Sequence, residues 1–268
     1  MQRKKFPKIM GIVNVTPDSF SDGGLFAETK TAIDHALKLI DDGVDILDIG
    51  GESSRPNADE ISIEEECKRV IPVIEGIRKV NSIVEISIDT VKYTVAKAAL
   101  GAGANIINDI SGLSKDIRLA SLAYEYNAGL IIMHIQGSPR TMQINPSYTN
   151  VVEEVFAELS DKIAVAHSLS AKNVMADIGI GFGKTAEHNW TLLKNLKKFE
   201  NLGVPLVLGI SRKSFLGKLL GIEKPIERDT ATVLLHALLL GENVEIIRVH
   251  DVQQMAMLRK LWNELKTY

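Results

Sequence analysis

The feature that most restricts this chain is a unit that recurs eight times: a short apolar run, a polar segment, then a helical pattern. The apolar runs lie at 9–15, 44–50, 84–88, 105–107, 129–133, 173–176, 205–208 and 245–249. Near-continuous apolar runs of this length mark strands buried on both faces, as in a parallel sheet covered by helices. Helical spacing follows at 29–42, 63–80, 93–100, 117–126, 151–168, 187–201, 226–240 and 252–265. Gly43 ends the first of these, Ser62 caps the second, and Pro72 predicts a kink or split within it. The segments GVDILDIGG, GANIINDISG and AGLIIMHIQG echo one another, each with Gly before a strand and polar residues after it. Eight parallel strand–helix units close as an α/β (β/α)8 TIM barrel, with an open doubly wound sheet as the alternative. No Pro- or Ser-rich linker interrupts the series, so one barrel domain over 1–268 is expected.

Charge and cysteine content narrow the function classes. The net charge of −3 gives no case for nucleic acid or an anionic membrane surface. Cys67 is the one cysteine, which removes a disulfide framework and a Cys-rich metal site. The basic start MQRKKFPK is followed by an apolar run too short for a secretory signal, and no run reaches membrane-spanning length. A cytoplasmic protein is expected.

In a barrel of this type the reacting groups sit at the C-terminal ends of the strands. Those ends carry Asn14, Ser54 with Arg55, Asp89, Asn108, His134, Asp177, Lys213, and Arg248 with His250. Two carboxylates, an amide and a lysine, with apolar Ile110, Met133 and Phe182 beside them, suit a flat, polar-edged heterocycle between apolar walls. A carboxylate accepts two parallel N–H bonds from a guanidine-like edge, and a lysine donates to a carbonyl or ring nitrogen. Arg55, Arg248 and His250 add positive charge across the mouth. The last helix begins beside His250 and Asp251, where its free N–H groups offer an anion site. The loop after the first strand is long and polar with one aromatic, Phe20, a length typical of binding loops.

Three other motifs fail on spacing. GIGFGKT at 179–185 has Ile178 where a Walker loop needs glycine, and Lys184 where a dinucleotide fingerprint needs its third glycine. No His-x-His follows the first strand, which argues against a barrel metallohydrolase. His35, His167, His188 and His236 fall on helices, where packing or surface roles are the default.

Taken together, NVTPDSFSDGG, GGESSRP, SIDT, INDISG, MHIQGSP, DIGIGFGKT, GISRKSF and RVHDV resemble, in order, the strand-end motifs of the dihydropteroate synthases. The likeness runs from about residue 9 to 251. It implies a barrel enzyme of folate synthesis that joins 6-hydroxymethyl-7,8-dihydropterin diphosphate to p-aminobenzoate and releases diphosphate. By position, Asp89, Asn108, Asp177 and Lys213 would hold the pterin edge, with Ile110, Met133, Phe182 and Gly209 lining the ring. Arg248 would lie against the ring and, with His250, Asn14 and Ser54, contact the diphosphate. Asn14 would also ligate Mg²⁺. Phe20, Arg55, Pro56, Lys213 and Ser214 would frame the aminobenzoate. The implied catalytic set is Arg55, Asp89, Lys213, Arg248 and His250. A homodimer built on late helices is implied too, and 230–240 (TATVLLHALLL) is apolar almost all round. The chain departs from the family pattern at Ser54, usually Thr, and Ile178, usually Pro. Two rivals are a methyltetrahydrofolate:corrinoid methyltransferase, which has no use for a diphosphate site, and a non-catalytic pterin-binding paralogue.

Overall fold

The computed structural model describes residues 5–16, 24–53 and 59–267. The strands are β1 (Lys8–Asn14), β2 (Ile46–Gly50), β3 (Glu85–Asp89), β4 (Ile106–Asp109), β5 (Gly129–Met133), β6 (Asn173–Asp177), β7 (Leu206–Leu208) and β8 (Ile246–Val249). Each pairs in parallel with the next, and β8 returns to β1 through Met10↔Arg248, closing the barrel. The open-sheet alternative is thereby excluded. Around the strands run α1 (Gly24–Asp41), α2 (Ile63–Val80), α3 (Tyr93–Gly101), α4 (Arg118–Glu125), α5 (Val151–Ser168), α6 (Ala186–Lys194), α7 (Leu196–Phe199), α8 (Ser214–Leu220), α9 (Asp229–Leu239) and α10 (Val252–Thr267). Among the described residues no helix is long and apolar enough to cross a membrane.

Strand alternation sends one set of side chains outward and the other to the barrel axis. Ile9, Val13, Leu47, Ile49, Ile86, Ile88 and Leu130 join the outer core beneath the helices. Met10, Ile46, Ile106, Ile131, Val207 and Ile246 form a separate inner cluster, with Met175 against it. The strand registers sort the inner set into levels. Rising one residue at each strand-to-strand step, Asp48 leads through Asn108, Asp177 and Arg248 back to Asp48. One level is thus built from the even-numbered strands, as in a filled (β/α)8 core. Beneath it lie Met10, Ser87, Ile131 and Val207, then Ile46, Ile106, Met175 and Ile246. Above it lie Ile12, Asp89, Met133 and Gly209. The barrel is plugged by apolar side chains below and polar above.

Three helices depart from the sequence expectation. Pro72 neither kinks nor splits α2, which runs unbroken from Ile63 to Val80. It sits on the solvent face, and so does Lys68, whose carbonyl loses its partner there and can be hydrated. Ser62 does cap this helix, accepting the Glu65 N–H at 3.1 Å. The expected helix at 187–201 breaks at Asn195, whose side-chain amide donates to the Thr191 carbonyl at 2.8 Å, giving α6, α7 and a 3₁₀ turn. The expected helix at 226–240 opens with a 3₁₀ turn, Pro225–Arg228, before α9.

At the N-terminal rim, Arg78 of α2 ties the entries of two strands. Its guanidinium donates to the carbonyls of Gly103, Asn81 and Val84 and to Asn105 Oδ1, at 2.8–3.2 Å. Replacing Arg78 by Ala leaves these half-buried acceptors without their charged donor. The expected result is a loss of about 2 kcal/mol in urea unfolding, with ligand binding at the opposite rim unchanged.

Candidate active site

The polar level and the one above it form the site. Arg248 of β8 lies between two carboxylates: its Nε donates to Asp48 Oδ2 at 2.6 Å and its Nη2 to Asp89 Oδ2 at 2.8 Å. Asp48 also accepts from the Asn108 amide nitrogen, 3.1 Å from Oδ2. Asp48 is wholly buried, whereas Asp89 and Arg248 keep some exposure. Burial and the charge of Asp48 push the Asp89 carboxyl up to about 7, against the pull of Arg248. For Arg248, burial works against the charge, but Asp48 and Asp89 outweigh it and the net shift is upward.

Across the mouth, Asp177 closes β6 and begins the glycine-rich turn. Its Oδ1 accepts the Gly179 N–H at 2.7 Å. Burial raises its pKa, partly offset by that bond and by the charge of Lys213. Gly179 has φ +66, and a Cβ there would fall 1.8 Å from the His134 carbonyl oxygen, so only glycine fits. The rest of the turn is hydrogen-bonded to the protein. Asn189 accepts the Gly181 N–H, Gln143 donates to the Gly181 carbonyl, Tyr148 donates to the Gly183 carbonyl, and Phe182 N–H returns to the Gly179 carbonyl. Three of its amides, those of Gly179, Gly181 and Phe182, are thereby committed to protein acceptors rather than offered to an anion. Instead it presents Phe182, with Lys213 Nζ 4.0 Å from the ring centroid. Burial lowers the Lys213 pKa to about 8 despite the nearby Asp177.

The segment that carries Lys213 is latched from α9. Arg212 makes a bidentate pair with Asp229, both bonds 2.7 Å, and its N–H donates to Thr232 Oγ1 at 3.1 Å. Arg228 donates to the Arg212 carbonyl at 3.0 Å. This latch sets Ser211 beside His250, where the serine hydroxyl lies 2.9 Å from Nδ1 and accepts the His250 backbone N–H at 3.1 Å. Ser214, exposed at the start of α8, follows directly. The start of α10 is less open to an anion than the sequence implies, since Asp251 Oδ1 already accepts the Gln254 N–H at 2.9 Å.

Asn14 ends β1 opposite Gly50. A Cβ at Gly50 would lie 3.8 Å from Asp89 Oδ2 and 3.9 Å from Asn14 Oδ1, so both oxygens border the gap this glycine leaves. The structure therefore gathers Asn14, Asp89, Asn108, Met133, Asp177, Phe182, Gly209, Lys213, Arg248 and His250 around one mouth, with Ile110 just past β4. Phe20, Ser54, Arg55 and Pro56 lie outside the described residues.

One strand-end residue does not belong to this mouth. His134 faces outward, because Met133 takes the inward place on β5. It is 2% exposed, receives Lys184 Nζ on Nδ1 at 2.8 Å, and sets Nε2 3.2 Å from Glu158 Oε2 on α5. Burial lowers its pKa, and with Nδ1 receiving Lys184 its ring N–H is the one on Nε2, toward Glu158. Conversely, Asp48 escaped a reading confined to strand ends. The signal for it was its inward parity with Gly50, two residues before the end of an otherwise apolar strand.

Residues 10–250 match the family model described as pterin binding enzyme. A dihydropteroate synthase from Synechocystis sp. is 42% identical over 96% of this chain and 89% of its own length. The solved structure of Xanthomonas albilineans dihydropteroate synthase with 4-aminobenzoic acid superposes with a TM-score of 0.91 at 38% identity, covering 98% of this chain and 94% of that one. The same organism's enzyme in complex with 7,8-dihydropteroate gives 0.88 at 36%, covering 98% and 95%. With matching fold, motifs in order and relatives over nearly its whole length, the chain belongs to the dihydropteroate synthase family, transferases of folate biosynthesis.

Proposed function

We propose that Asp89, Asn108, Asp177 and Lys213 hold the dihydropterin ring of the family's reaction, which condenses 6-hydroxymethyl-7,8-dihydropterin diphosphate with p-aminobenzoate. The observation that carries this reading is the convergence of three oxygen acceptors and one buried lysine over an apolar plug. A pterin has that complement: N–H donors at its 2-amino and N3 positions for Asp177, further donors toward Asn108 and Asp89, and acceptors for Lys213. Met133 and Phe182 supply apolar walls. Arg248, spent on Asp48 and Asp89 along one edge, keeps its plane for the ring face.

The diphosphate then lies toward Asn14, Ser211 and His250. Asn14 Oδ1 beside Asp89 suits a hard cation that takes one or two protein oxygens and the rest from phosphate, so Asn14 is the residue that would hold Mg²⁺. When bound, Mg²⁺ supplies charge to the leaving diphosphate. As the methylene C–O bond breaks, its electron pair leaves with the diphosphate and the dihydropterin carries the positive charge. Asp89 and Asp177 favour that cation, Arg248 and His250 favour the departing anion, and the neutral amine of p-aminobenzoate attacks the methylene carbon, its surplus N–H proton passing to the diphosphate or to water. Among the described residues, Lys213 and Ser214 border the place of that second substrate. Catalysis here is orientation and charge, without a covalent enzyme intermediate.

A homodimer fits the exposed apolar side chains of the late helices. Leu234 and Leu238 on α9 and Met257, Leu261 and Leu265 on α10 are all largely exposed, more than scattered surface residues account for. The single free cysteine, Cys67, accords with a reducing cytoplasm.

The reading is tested by diphosphate release that requires both substrates and Mg²⁺, compared between wild type and Asp177→Asn. The amide sets N–H against N–H, and a mismatched buried contact of about 1–3 kcal/mol should weaken pterin-diphosphate binding tenfold or more by calorimetry. Unchanged affinity would remove Asp177 from the pocket. The pH profile adds a second check. Lys213 loses its ammonium as pH rises through about 8, so kcat/KM for pterin diphosphate should fall on that side. Lys213→Arg, which stays charged, should lack this limb even if its rate is lower. For the dimer, sedimentation at micromolar concentration should give twice the chain mass, and Leu238→Arg should give the monomer.

A further inference from the structure

Asp48 sits in the same level as Asn108, Asp177 and Arg248, and its carboxylate, chiefly Oδ2, is engaged by two of them. Arg248 Nε is 2.6 Å from Oδ2, and the Asn108 amide nitrogen is 3.1 Å from Oδ2 and 3.4 Å from Oδ1. The residue is 0% exposed. An ionised carboxylate only accepts, so the Asn108 amide can face it only through its NH₂ group. The flipped amide would bring three oxygens together in a buried site. Among the described residues, Asn108 makes side-chain hydrogen bonds through its nitrogen alone, which leaves its oxygen as an acceptor for a ligand. Asp48 also takes the Nε–H of Arg248, which frees one oxygen of Asp89 from that guanidinium, since Nη2 engages Oδ2 only.

We propose that Asp48, without touching ligand, is the positioning residue that sets the hydrogen-bond polarity of the ring pocket. It locks Asn108 as an acceptor, so that the pocket selects rings bearing the N–H donors left over once Asp177 has taken its pair. This rests on the pterin reading of the site. A 7,8-dihydropterin offers two such donors, the second hydrogen of the 2-amino group and N8–H. The oxidised pterin lacks N8–H, and the corresponding 7,8-dihydrolumazine lacks the 2-amino group. The oxidised pterin turns a bare N8 toward the locked oxygen, and the dihydrolumazine turns O2 toward it in place of the amine while its N1 becomes a donor.

The test is calorimetric binding of 6-hydroxymethyl-7,8-dihydropterin, 6-hydroxymethylpterin and 6-hydroxymethyl-7,8-dihydrolumazine to wild type, Asp48→Ala and Asp48→Asn. Wild type should discriminate against each analogue by about tenfold or more. In Asp48→Ala the Asn108 amide is free to turn its NH₂ toward the ring, and discrimination against at least one analogue should fall to about threefold or less. Asp48→Asn still places an oxygen at the Oδ2 position, where both Arg248 Nε and the Asn108 nitrogen meet it, and should restore the wild-type ratios. A merely structural role would weaken all three ligands together and leave the ratios alone, and that result overturns the proposal. If Asp48→Ala fails to fold, Asp48→Thr serves, because a hydroxyl accepts or donates and so tolerates either amide orientation. Unchanged ratios in that variant likewise overturn the lock. Wild-type enzyme that binds all three rings equally, with Asp177→Asn indifferent too, would instead remove the pocket itself, and the lock with it.

Discussion

The site is organised by one largely enclosed cation, Arg248, held between two carboxylates. Arg248 bridges the wholly buried Asp48 and the partly exposed Asp89 above an apolar plug, and each carboxylate answers its charge. Such networks seldom add net stability, since desolvation consumes most of the Coulombic gain. What they fix is geometry: three side chains from β2, β3 and β8 are held in one arrangement. Asp89 is the least comfortable member, raised to about 7 by burial and by Asp48. That residual strain marks it as the group most responsive to a cationic ligand.

A second constraint acts from outside the barrel. The turn after β6 holds Asp177 and Phe182 at the mouth, but it is secured from the helix layer. Lys184, 3% exposed, donates to the Phe182 carbonyl at 3.0 Å and to His134 Nδ1 at 2.8 Å, while His134 reaches Glu158 on α5. Burial lowers the Lys184 pKa to about 7, with Asp177 and Glu158 opposing. The pocket wall is therefore anchored in the outer layer, through Glu158 of α5.

Most of the architecture was legible because each buried strand announces itself as an apolar run and each strand end as a polar break. Asp177, Asn108 and Lys213 were found that way. The same rule misplaced His134, because polarity at a strand end says nothing about which face it takes; only counting inward parity along GLIIMH separates it from Met133. Parity would equally have found Asp48. Helix boundaries failed for a different reason. The side chain of Asn195 competes for a backbone carbonyl, and the solvent-facing side of Pro72 decides whether a lost bond matters, neither of which periodicity encodes. Ile178, where the family usually has proline, leaves Asp177 held by the Gly179 N–H at 2.7 Å. The substitutions' counterpart Ser54 falls outside the described residues.

The two apolar levels beneath the polar one have a consequence for molecular traffic. Met10, Ile131, Val207, Ile46, Ile106 and Ile246 close the barrel from below, so among the described residues no path leads through the barrel floor. Whatever reaches the floor must pass the rim, and whatever enters second sits above what entered first and covers it. A molecule that fills the upper part of the site also shuts in the one beneath it, so occupancy of the rim governs how long the floor stays filled.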